Sequence, residues 1–136
     1  MNEITIGCDG AADLGDLAEK RGIVTEPLTV ILGDRSGADG SEITPADIFA
    51  YYDETKKTPK TAAVSPERYA ALFERMTRDG GEAVYICAAQ TKSSCYDNAV
   101  MAAKDYPGVY VVDSQSLSAG IGLLALYADD LRQTGK

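Results

Sequence analysis

Histidine and tryptophan are absent from the 136 residues of this chain, and cysteine occurs only three times. Without histidine, the chain cannot build a Ser-His-Asp triad or a Cys-His pair from its own residues. Three widely spaced cysteines alone match no standard zinc site. The phosphate-binding patterns G-x-x-x-x-G-K-[ST] and G-x-G-x-x-G are also missing. We therefore predict a protein that is not an enzyme and that carries no metal or cofactor.

Positive charge is scarce as well, since 13 Lys and Arg residues face 21 Asp and Glu residues and leave a net charge of −8. Nucleic acids and anionic lipid surfaces attract clustered basic residues, so we predict neither nucleic-acid binding nor stable membrane association. The longest apolar run, residues 121–128, is too short to span a bilayer. An odd number of cysteines and the lack of a signal-peptide pattern favour a cytoplasmic protein with reduced thiols.

The apolar segments indicate the fold class. A length of 136 residues, 45% of them hydrophobic, suits a single domain over residues 1–136. We predict strands at 4–8, 23–24, 28–32, 83–89 and 109–112, and helices at 13–21, from 44, from 65, from 94 and over 116–132. This alternation predicts an α/β fold, a mostly parallel β-sheet with helices on both faces. Residues 33–40 and 60–63 are predicted to be loops.

Two helices show a clear apolar face in the sequence. Ser65-Pro66 is a typical helix start, and the helix after it is predicted to bury Tyr69, Leu72, Phe73 and Met76. The last helix is predicted to bury Ile121, Leu124, Ala128 and Leu131.

The candidate site lies in the loops that follow the strands, because α/β folds bind ligands at the carboxyl ends of their strands. Segments 9–11, 90–95 and 113–116 are expected there, and the loop 60–63 can join them. Ser93 and Ser94 precede a helix, whose free N–H groups favour a carboxylate or a phosphate; alternatively, one of these serines merely caps the helix. Cys95, in the first turn, is either a reactive thiol or a small buried filler.

A series of motifs in these segments resembles the DegV family of bacterial fatty-acid-binding proteins. Five segments resemble family patterns in chain order. They are residues 8–14 (T-D-S-T-A-D-L), 43–45 (D-I-T-P), 59–66 (P-x-T-S-Q-P-S-P), 92–96 (L-S-G-T-Y) and 112–122 (V-D-S-x-S-x-S-x-G-x-G). Residues 27–30 match a further signature between the first two of these segments. Each match alone is weak, but the collinear set covers nearly the whole chain and is specific.

The resemblance implies a protein that binds long-chain fatty acids and holds their carboxylate with loop hydroxyls. The hydroxyl positions that match are Thr61 and Ser93, and further pocket residues are expected at Asp9, Ala62, Ser94, Cys95 and Ser114. Members of the family have two α/β domains with the acid between them, and some deliver it to a fatty acid kinase. By this resemblance the chain is the amino-terminal domain, without its second domain, and is either a fragment or a stand-alone half.

The chain also departs from the family patterns near both hydroxyls. Ala62 and Ser94 replace a serine and a glycine of the family, and Cys95 replaces a threonine. These changes keep a second hypothesis open, a degenerate interaction domain that no longer binds lipid and forms a homodimer through its exposed pocket face. A third hypothesis, an enzyme with Cys95 or Ser93 as nucleophile, is disfavoured because no histidine can serve as the base.

Overall fold

The computed structural model describes residues 3–136, within which seven β-strands and five α-helices follow one another. The strands are β1 (Ile4–Asp9), β2 (Val24–Glu26), β3 (Thr29–Leu32), β4 (Arg35–Ala38), β5 (Lys60–Ala62), β6 (Glu82–Cys87) and β7 (Val109–Asp113). The helices are α1 (Asp16–Arg21), α2 (Pro45–Thr55), α3 (Pro66–Met76), α4 (Cys95–Ala103) and α5 (Ala119–Gln133). Single 3-10 turns lie at Gly10–Ala12 and Arg78–Gly80.

The larger sheet has four parallel strands in the order β2-β1-β6-β7, which confirms the predicted fold class. Alternate residues of β6 face opposite sides of this sheet, and both sides are covered. Tyr85 lies in a cluster with α3 and α4, whereas Ile86 lies in a cluster with α5. Burial on both faces explains why the strand is continuously apolar in sequence.

A second sheet is antiparallel, with the order β4-β3-β5, and was not predicted as a separate sheet. It contains the two segments that were predicted to be loops: residues 35–38 form β4 and residues 60–62 form β5. Both strands are short and rich in polar or small residues, so their sequences lack the apolar alternation that indicates a strand. A small core of Val30, Leu32 and Ile43 joins this sheet to α2.

The helix starts follow the predicted capping chemistry. The Thr44 hydroxyl accepts the N–H of Asp47, and the Asp47 carboxylate accepts the N–H of Thr44, which together form a capping box for α2. The Ser65 hydroxyl accepts the N–H of Arg68 at the start of α3. All four side chains predicted for the buried face of α3 are buried. The predicted starts of α1 and α5 were three residues too early, because Asp13 and Ser118 have positive φ angles that interrupt a helix.

The buried face of α5 differs from the prediction. Ile121 is buried as expected, but the other buried residues are Gly122, Ala125 and Asp129, whereas Leu124 is exposed. The face is therefore rotated around the helix, and a charged residue takes part in it.

Candidate functional site

The polar group nearest the carboxyl end of β1 is the side chain of Asp9, which is completely buried. Its Oδ1 accepts hydrogen bonds from the hydroxyls of Tyr69 at 2.6 Å and Tyr85 at 3.0 Å. Its Oδ2 accepts the backbone N–H of Ala88 at 2.8 Å. The Cys95 side chain is buried in the same cluster as Tyr69 and Tyr85. Two strands and one helix, β1, β6 and α3, therefore meet at one carboxyl group.

The electrostatics of Asp9 are unusual because neutral groups surround it. Within residues 3–136, no Lys or Arg side chain forms an ion pair with it. Burial raises the pKa of Asp9 above its ordinary value, although its hydrogen bonds oppose this shift. Burial also raises the pKa of Tyr69 and of Tyr85 well above the usual range. Both phenols therefore stay protonated and act as donors to Asp9.

Ser93 lies in the loop between β6 and α4. Its Oγ accepts the backbone N–H of Cys95 at 3.2 Å. The Ala89 carbonyl accepts the N–H groups of Lys92 at 2.9 Å and of Ser93 at 3.1 Å, which folds the loop into a turn. In the described part of the chain, the Ser93 hydroxyl hydrogen has no acceptor. Ser93 can therefore support the start of α4 and still donate a hydrogen bond to a ligand.

Ser94 immediately precedes α4 but does not cap it with its side chain, and it is exposed. Of the two serines considered as caps, Ser93 is thus the one whose oxygen bonds to the first turn.

Thr61 is the central residue of β5, an edge strand of the antiparallel sheet, and lies opposite Val30. Its side chain is exposed, and its hydroxyl has no hydrogen-bond partner within residues 3–136. The neighbouring Ala62 is half-buried and lies opposite Thr29. Strand pairing, rather than a loop, holds the backbone at Thr61.

Ser114 is buried within the loop that follows β7. Its Oγ donates to the Ser116 carbonyl and accepts the Ser116 N–H, each at 3.1 Å. Asp113 Oδ1 accepts the N–H groups of Gln115 at 2.9 Å and Gln90 at 3.2 Å. The Ala89 N–H donates to the Ser116 carbonyl at 2.9 Å. These bonds join the loops after β6 and β7 to each other. The Ser114 hydroxyl already donates and accepts a hydrogen bond within its own loop.

The elements that carry Thr61 and Ser93 are also connected. Asn98 of α4 donates from Nδ2 to the carbonyl oxygen of Val64 at 2.9 Å. Val64 follows β5 closely and is buried in the same cluster as Cys95. The structure therefore joins Asp9 to the residue before the Ser93 loop through the Ala88 N–H, and it joins Ser93 to the start of α4 through the Cys95 N–H. The segment after β5, which carries Thr61, is joined to α4 through Asn98.

The charge at the start of α4 is mixed. Lys92 is the sole basic residue of the sequence segment 88–95 and is exposed. Asp97, in the first turn of α4, accepts a hydrogen bond from Gln90 Nε2 at 2.8 Å. Because Asp97 already places negative charge at this helix end, a carboxylate ligand here would depend on hydroxyl and N–H donors.

All three cysteines are free and buried. Burial, together with the Asp9 charge, raises the pKa of Cys8 to about 12. Burial also raises the pKa of Cys87. Thiols with raised pKa values are poor nucleophiles at neutral pH. Cys95 is fully buried as a small side chain, which is the second of the two alternatives considered from the sequence.

The sequence reasoning missed Tyr69 and Tyr85 as members of a polar cluster, because both were assigned only to the apolar core. The residue type itself could have indicated this cluster, because the hydroxyl of a buried tyrosine usually has a hydrogen-bond partner.

Residues 3–136 offer neither a membrane-spanning helix nor a cluster of metal ligands. No helix among them is long and apolar enough to cross a membrane. They also contain no group of three or more Cys, Asp or Glu side chains that could hold a metal ion.

Comparison with known proteins gives relatives that share one family description. The family model described as "Uncharacterised protein, DegV family" matches residues 3–136. A DegV domain-containing protein of Clostridium acetobutylicum is 31% identical over 140 residues, which cover 100% of this chain and 50% of the relative. The chain spans about half the length of the curated relatives it matches.

Solved structures extend the similarity to the fold. A DegV family protein from Thermus thermophilus, described as fatty acid binding, is 32% identical with a TM-score of 0.92, and the match covers 100% of this chain and 49% of that one. A stearic-acid-binding protein from Eubacterium ventriosum is 27% identical with a TM-score of 0.86, and the match covers 97% of this chain and 48% of that one. With the family model matching nearly every residue, this chain belongs to the DegV family.

Proposed function

We propose that this chain is one half of a long-chain fatty acid binding protein and that it holds the acid's carboxylate with the hydroxyls of Thr61 and Ser93. The observation that carries the proposal is the Ser93 hydroxyl, which stands at the start of α4 and donates its hydrogen to no acceptor within residues 3–136. Thr61, in the antiparallel sheet, offers a second hydroxyl that has no hydrogen-bond partner among the same residues. Membership of a family with fatty-acid-binding relatives supports the same ligand.

The division of energy between the two parts of the ligand follows from ordinary magnitudes. Burial of an acyl chain contributes about 0.8 kcal/mol per CH₂, so the chain supplies most of the affinity. Each hydroxyl donor contributes roughly 1 kcal/mol and mainly fixes the direction of the headgroup. Because this chain provides only one wall of the proposed cavity, we expect it to bind fatty acids weakly by itself.

Nuclear magnetic resonance can detect such weak binding residue by residue. We propose to titrate the ¹⁵N-labelled chain with tetradecanoate and, separately, with its methyl ester, which keeps the acyl chain but lacks the anionic carboxylate. The acid should shift the amide signals around Thr61 and Ser93, and the ester should not. Thr61→Ala and Ser93→Ala should each weaken the acid's binding by about fivefold, a loss of about 1 kcal/mol.

Matched controls come from exposed hydroxyls beside the two positions. Thr58→Ala precedes β5, and Thr91→Ala lies in the same loop as Ser93; both should leave the titration unchanged. Acid and ester that shift the same amides equally, or acid binding unaffected by Thr61→Ala and Ser93→Ala, would contradict the proposed site.

We further propose that the complete protein presents the bound acid to a fatty acid kinase. This partner is supported by the family resemblance and by the open position of the Thr61 side chain. The test is whether a fatty acid kinase with ATP forms acyl phosphate from the tetradecanoate-loaded protein, and whether Thr61→Ala and Ser93→Ala reduce that yield.

A second candidate function is the non-lipid-binding interaction domain, which forms a homodimer. It is favoured by large apolar side chains that are exposed on β7 and α5, among them Tyr110, Val112, Leu123 and Tyr127. Exposed apolar surface of this kind often marks an interface. Light scattering after size-exclusion chromatography distinguishes the candidates: a dimer that is unaffected by tetradecanoate favours the interaction domain, and a monomer that binds the acid favours the first proposal.

A further inference from the structure

We propose that Arg68 is a positioning residue of the carboxylate site: its guanidinium group fixes the part of the chain that carries Thr61 against the parallel sheet that leads to Ser93. This inference rests on the proposed function, in which one carboxylate accepts hydrogen bonds from both hydroxyls. It adds to that function the residue that sets the separation of the two hydroxyls.

Thr61 and Ser93 belong to parts of the chain that share no strand pair. Thr61 lies in residues 29–62, here called the inserted unit, which contain the antiparallel sheet and α2. Ser93 follows β6 of the parallel sheet. The inserted unit also has a small core of its own, formed by Val30, Leu32 and Ile43. The separation of the two hydroxyls therefore depends on how the inserted unit is held where it joins the rest of the chain.

The first connection, residues 27–28, leads from β2 into β3 and is bonded to the Arg68 side chain. Arg68 Nε donates to Glu26 Oε1 at 2.9 Å, at the end of β2. Its Nη2 donates to the Pro27 carbonyl oxygen at 2.8 Å, and its Nη1 donates to Thr29 Oγ1 at 3.2 Å, where β3 begins. One planar guanidinium group thus spans the end of a strand of the parallel sheet, the connection and the start of the inserted unit.

The second connection, residues 63–65, leads from β5 into α3 and is bonded to the same residue. Ser65 Oγ accepts the backbone N–H of Arg68 at 3.4 Å. Among the hydrogen bonds within residues 3–136, Arg68 is the one residue that bonds to both connections. Both ends of the inserted unit are therefore fixed at Arg68.

The ion pair between Arg68 and Glu26 gives this arrangement strength. The Glu26 side chain is only 13% exposed and that of Arg68 is 35% exposed, so water screens the pair incompletely. Hydrogen bonds between charged groups are about twice as strong as neutral ones. The planar fork of a guanidinium group can also reach several acceptors at once, which a lysine ammonium on its flexible stem does not reproduce.

The route from Arg68 to Thr61 is short. Thr29, which accepts from Arg68, lies opposite Ala62 in the ladder between β3 and β5, and Thr61 is the next residue of β5. Rotation of the inserted unit about its two connections would move Thr61 and leave Ser93 in place. Because both hydroxyls must lie within hydrogen-bond distance of one carboxylate, such a rotation would remove Thr61 from the site.

The test measures the orientation of the inserted unit by residual dipolar couplings in the weakly aligned, ¹⁵N-labelled chain without ligand. In the unmodified chain, the N–H couplings of the inserted unit and of the parallel sheet should fit one alignment tensor. Arg68→Met keeps a long stem but loses the guanidinium group. The inserted unit should then require a second tensor of smaller magnitude, because it reorients relative to the parallel sheet. Arg75→Met is the matched control, the same change at an exposed arginine of α3, and one tensor should still fit.

A milder variant covers the case in which Arg68→Met does not fold, since that change leaves Glu26 without its partner. Thr29→Val keeps the shape of a β-branched side chain and removes only the bond from Arg68 Nη1. It retains the ion pair with Glu26. The couplings of the inserted unit should again depart from the tensor of the parallel sheet, by less than in Arg68→Met.

Ligand binding provides a readout that a merely structural role of Arg68 would not move. Arg68→Met should weaken tetradecanoate binding by about fivefold and leave binding of the methyl ester unchanged. In the Arg68→Met chain, Thr61→Ala should cost less than about twofold, because Thr61 is already out of position, whereas Ser93→Ala should keep its loss of about fivefold.

The outcomes separate this inference from the proposed function. A single tensor that fits both Arg68→Met and Thr29→Val would overturn it, whether or not the chain binds the acid. A full fivefold effect of Thr61→Ala in the Arg68→Met chain (about 1 kcal/mol) would also overturn it. Failure of the unmodified chain to bind tetradecanoate would refute the proposed function, while the couplings would still decide whether Arg68 fixes the inserted unit.

Discussion

Two aspartates, Asp9 and Asp129, are completely buried near opposite ends of β1, and the protein stabilises them in different ways. Asp129, on α5, accepts hydrogen bonds from the guanidinium groups of Arg21 and Arg132 and from Gln133 Nε2. Arg132 also donates to the carbonyl oxygen of Ile4, where β1 begins. Within residues 3–136, Asp9, where β1 ends, accepts hydrogen bonds only from phenol and backbone N–H donors. One end of the strand thus holds an ion-pair network, and the other holds a carboxyl group among neutral donors.

The pKa values of the two groups move in opposite directions. Burial alone would raise the pKa of Asp129, but the hydrogen bonds and charges of Arg21 and Arg132 outweigh it and hold the pKa below its ordinary value. Burial raises the pKa of Asp9, and its neutral donors do not fully compensate. The comparison indicates that the folded state favours the charged form of Asp129, whereas burial of Asp9 opposes its charge. The neutral arrangement lies at the end of the sheet where the candidate site is found.

The largest effect on the free energy of unfolding is expected from Asp129→Asn. The amide keeps the volume of the side chain but leaves two guanidinium groups without their buried partner. Loss of one partner of a buried ion pair costs about 3–5 kcal/mol. The arginine side chains are 31% and 28% exposed, so water recovers part of that loss, and we expect the free energy of unfolding to fall by about 2–3 kcal/mol. Urea unfolding measures it.

Asp130→Asn is the matched control for this prediction. Asp130 also pairs with Arg21, but its side chain is 62% exposed. Pairs of this kind contribute little to stability, so the urea midpoint should hardly move. Equal losses in the two variants would show that burial of Asp129 is not what matters.

The dependence of stability on pH should have opposite signs for the two aspartates. The folded pKa of Asp129 lies below its unfolded value of about 3.9, so its contribution is present above that pH and is lost as the pH falls through the folded pKa. The folded pKa of Asp9 is raised, so its contribution is full below about pH 3.9 and is lost as the pH rises through the folded pKa. Each proton contributes a slope of up to about 1.4 kcal/mol per pH unit.

Urea unfolding from about pH 3 to about pH 7 checks these signs. This range runs from roughly one pH unit below the reference pKa of Asp to three units above it. Asp129→Asn should flatten the acid side of the profile, and Asp9→Asn should remove a decline above about pH 4. The capping carboxylate of Asp47, with a pKa of about 2, contributes in the same acid range. Because Asp47 is present in both variants, its contribution cancels in their difference. If the free energy of unfolding depended on pH in the same way in both variants, the predicted opposite signs for Asp9 and Asp129 would be refuted.

The contrast between these ends also shows what the sequence could predict. The α3 face was correct because its four residues share one apolar stripe, and strand β6 was found because both of its faces are apolar. The α5 face was wrong because Asp129 is buried by arginines, one of them at position 21, far away in sequence.

The candidate site could be predicted in part for the same reason. Thr61 and Ser93 belong to local motifs, which a single sequence displays. The hydrogen bonds of Tyr69 and Tyr85 to Asp9 join residues distant in sequence, and no local pattern indicates such a pairing. The strands β4 and β5 were missed because pairing with β3, rather than their own composition, makes them strands.

The smallest effect on stability is expected from Asp9→Asn, which we predict to change the free energy of unfolding at pH 7 by no more than about 1 kcal/mol. An asparagine at this position can turn its oxygen toward the Ala88 N–H and its NH₂ group toward Tyr69 and Tyr85, because a phenol hydroxyl can accept as well as donate. The substitution also removes the cost of a buried charge, which offsets weaker hydrogen bonds. Urea unfolding beside Asp129→Asn measures the difference. A loss as large as that of Asp129→Asn would mean that the fold requires the negative charge of Asp9, and the two ends of β1 would then follow the same rule.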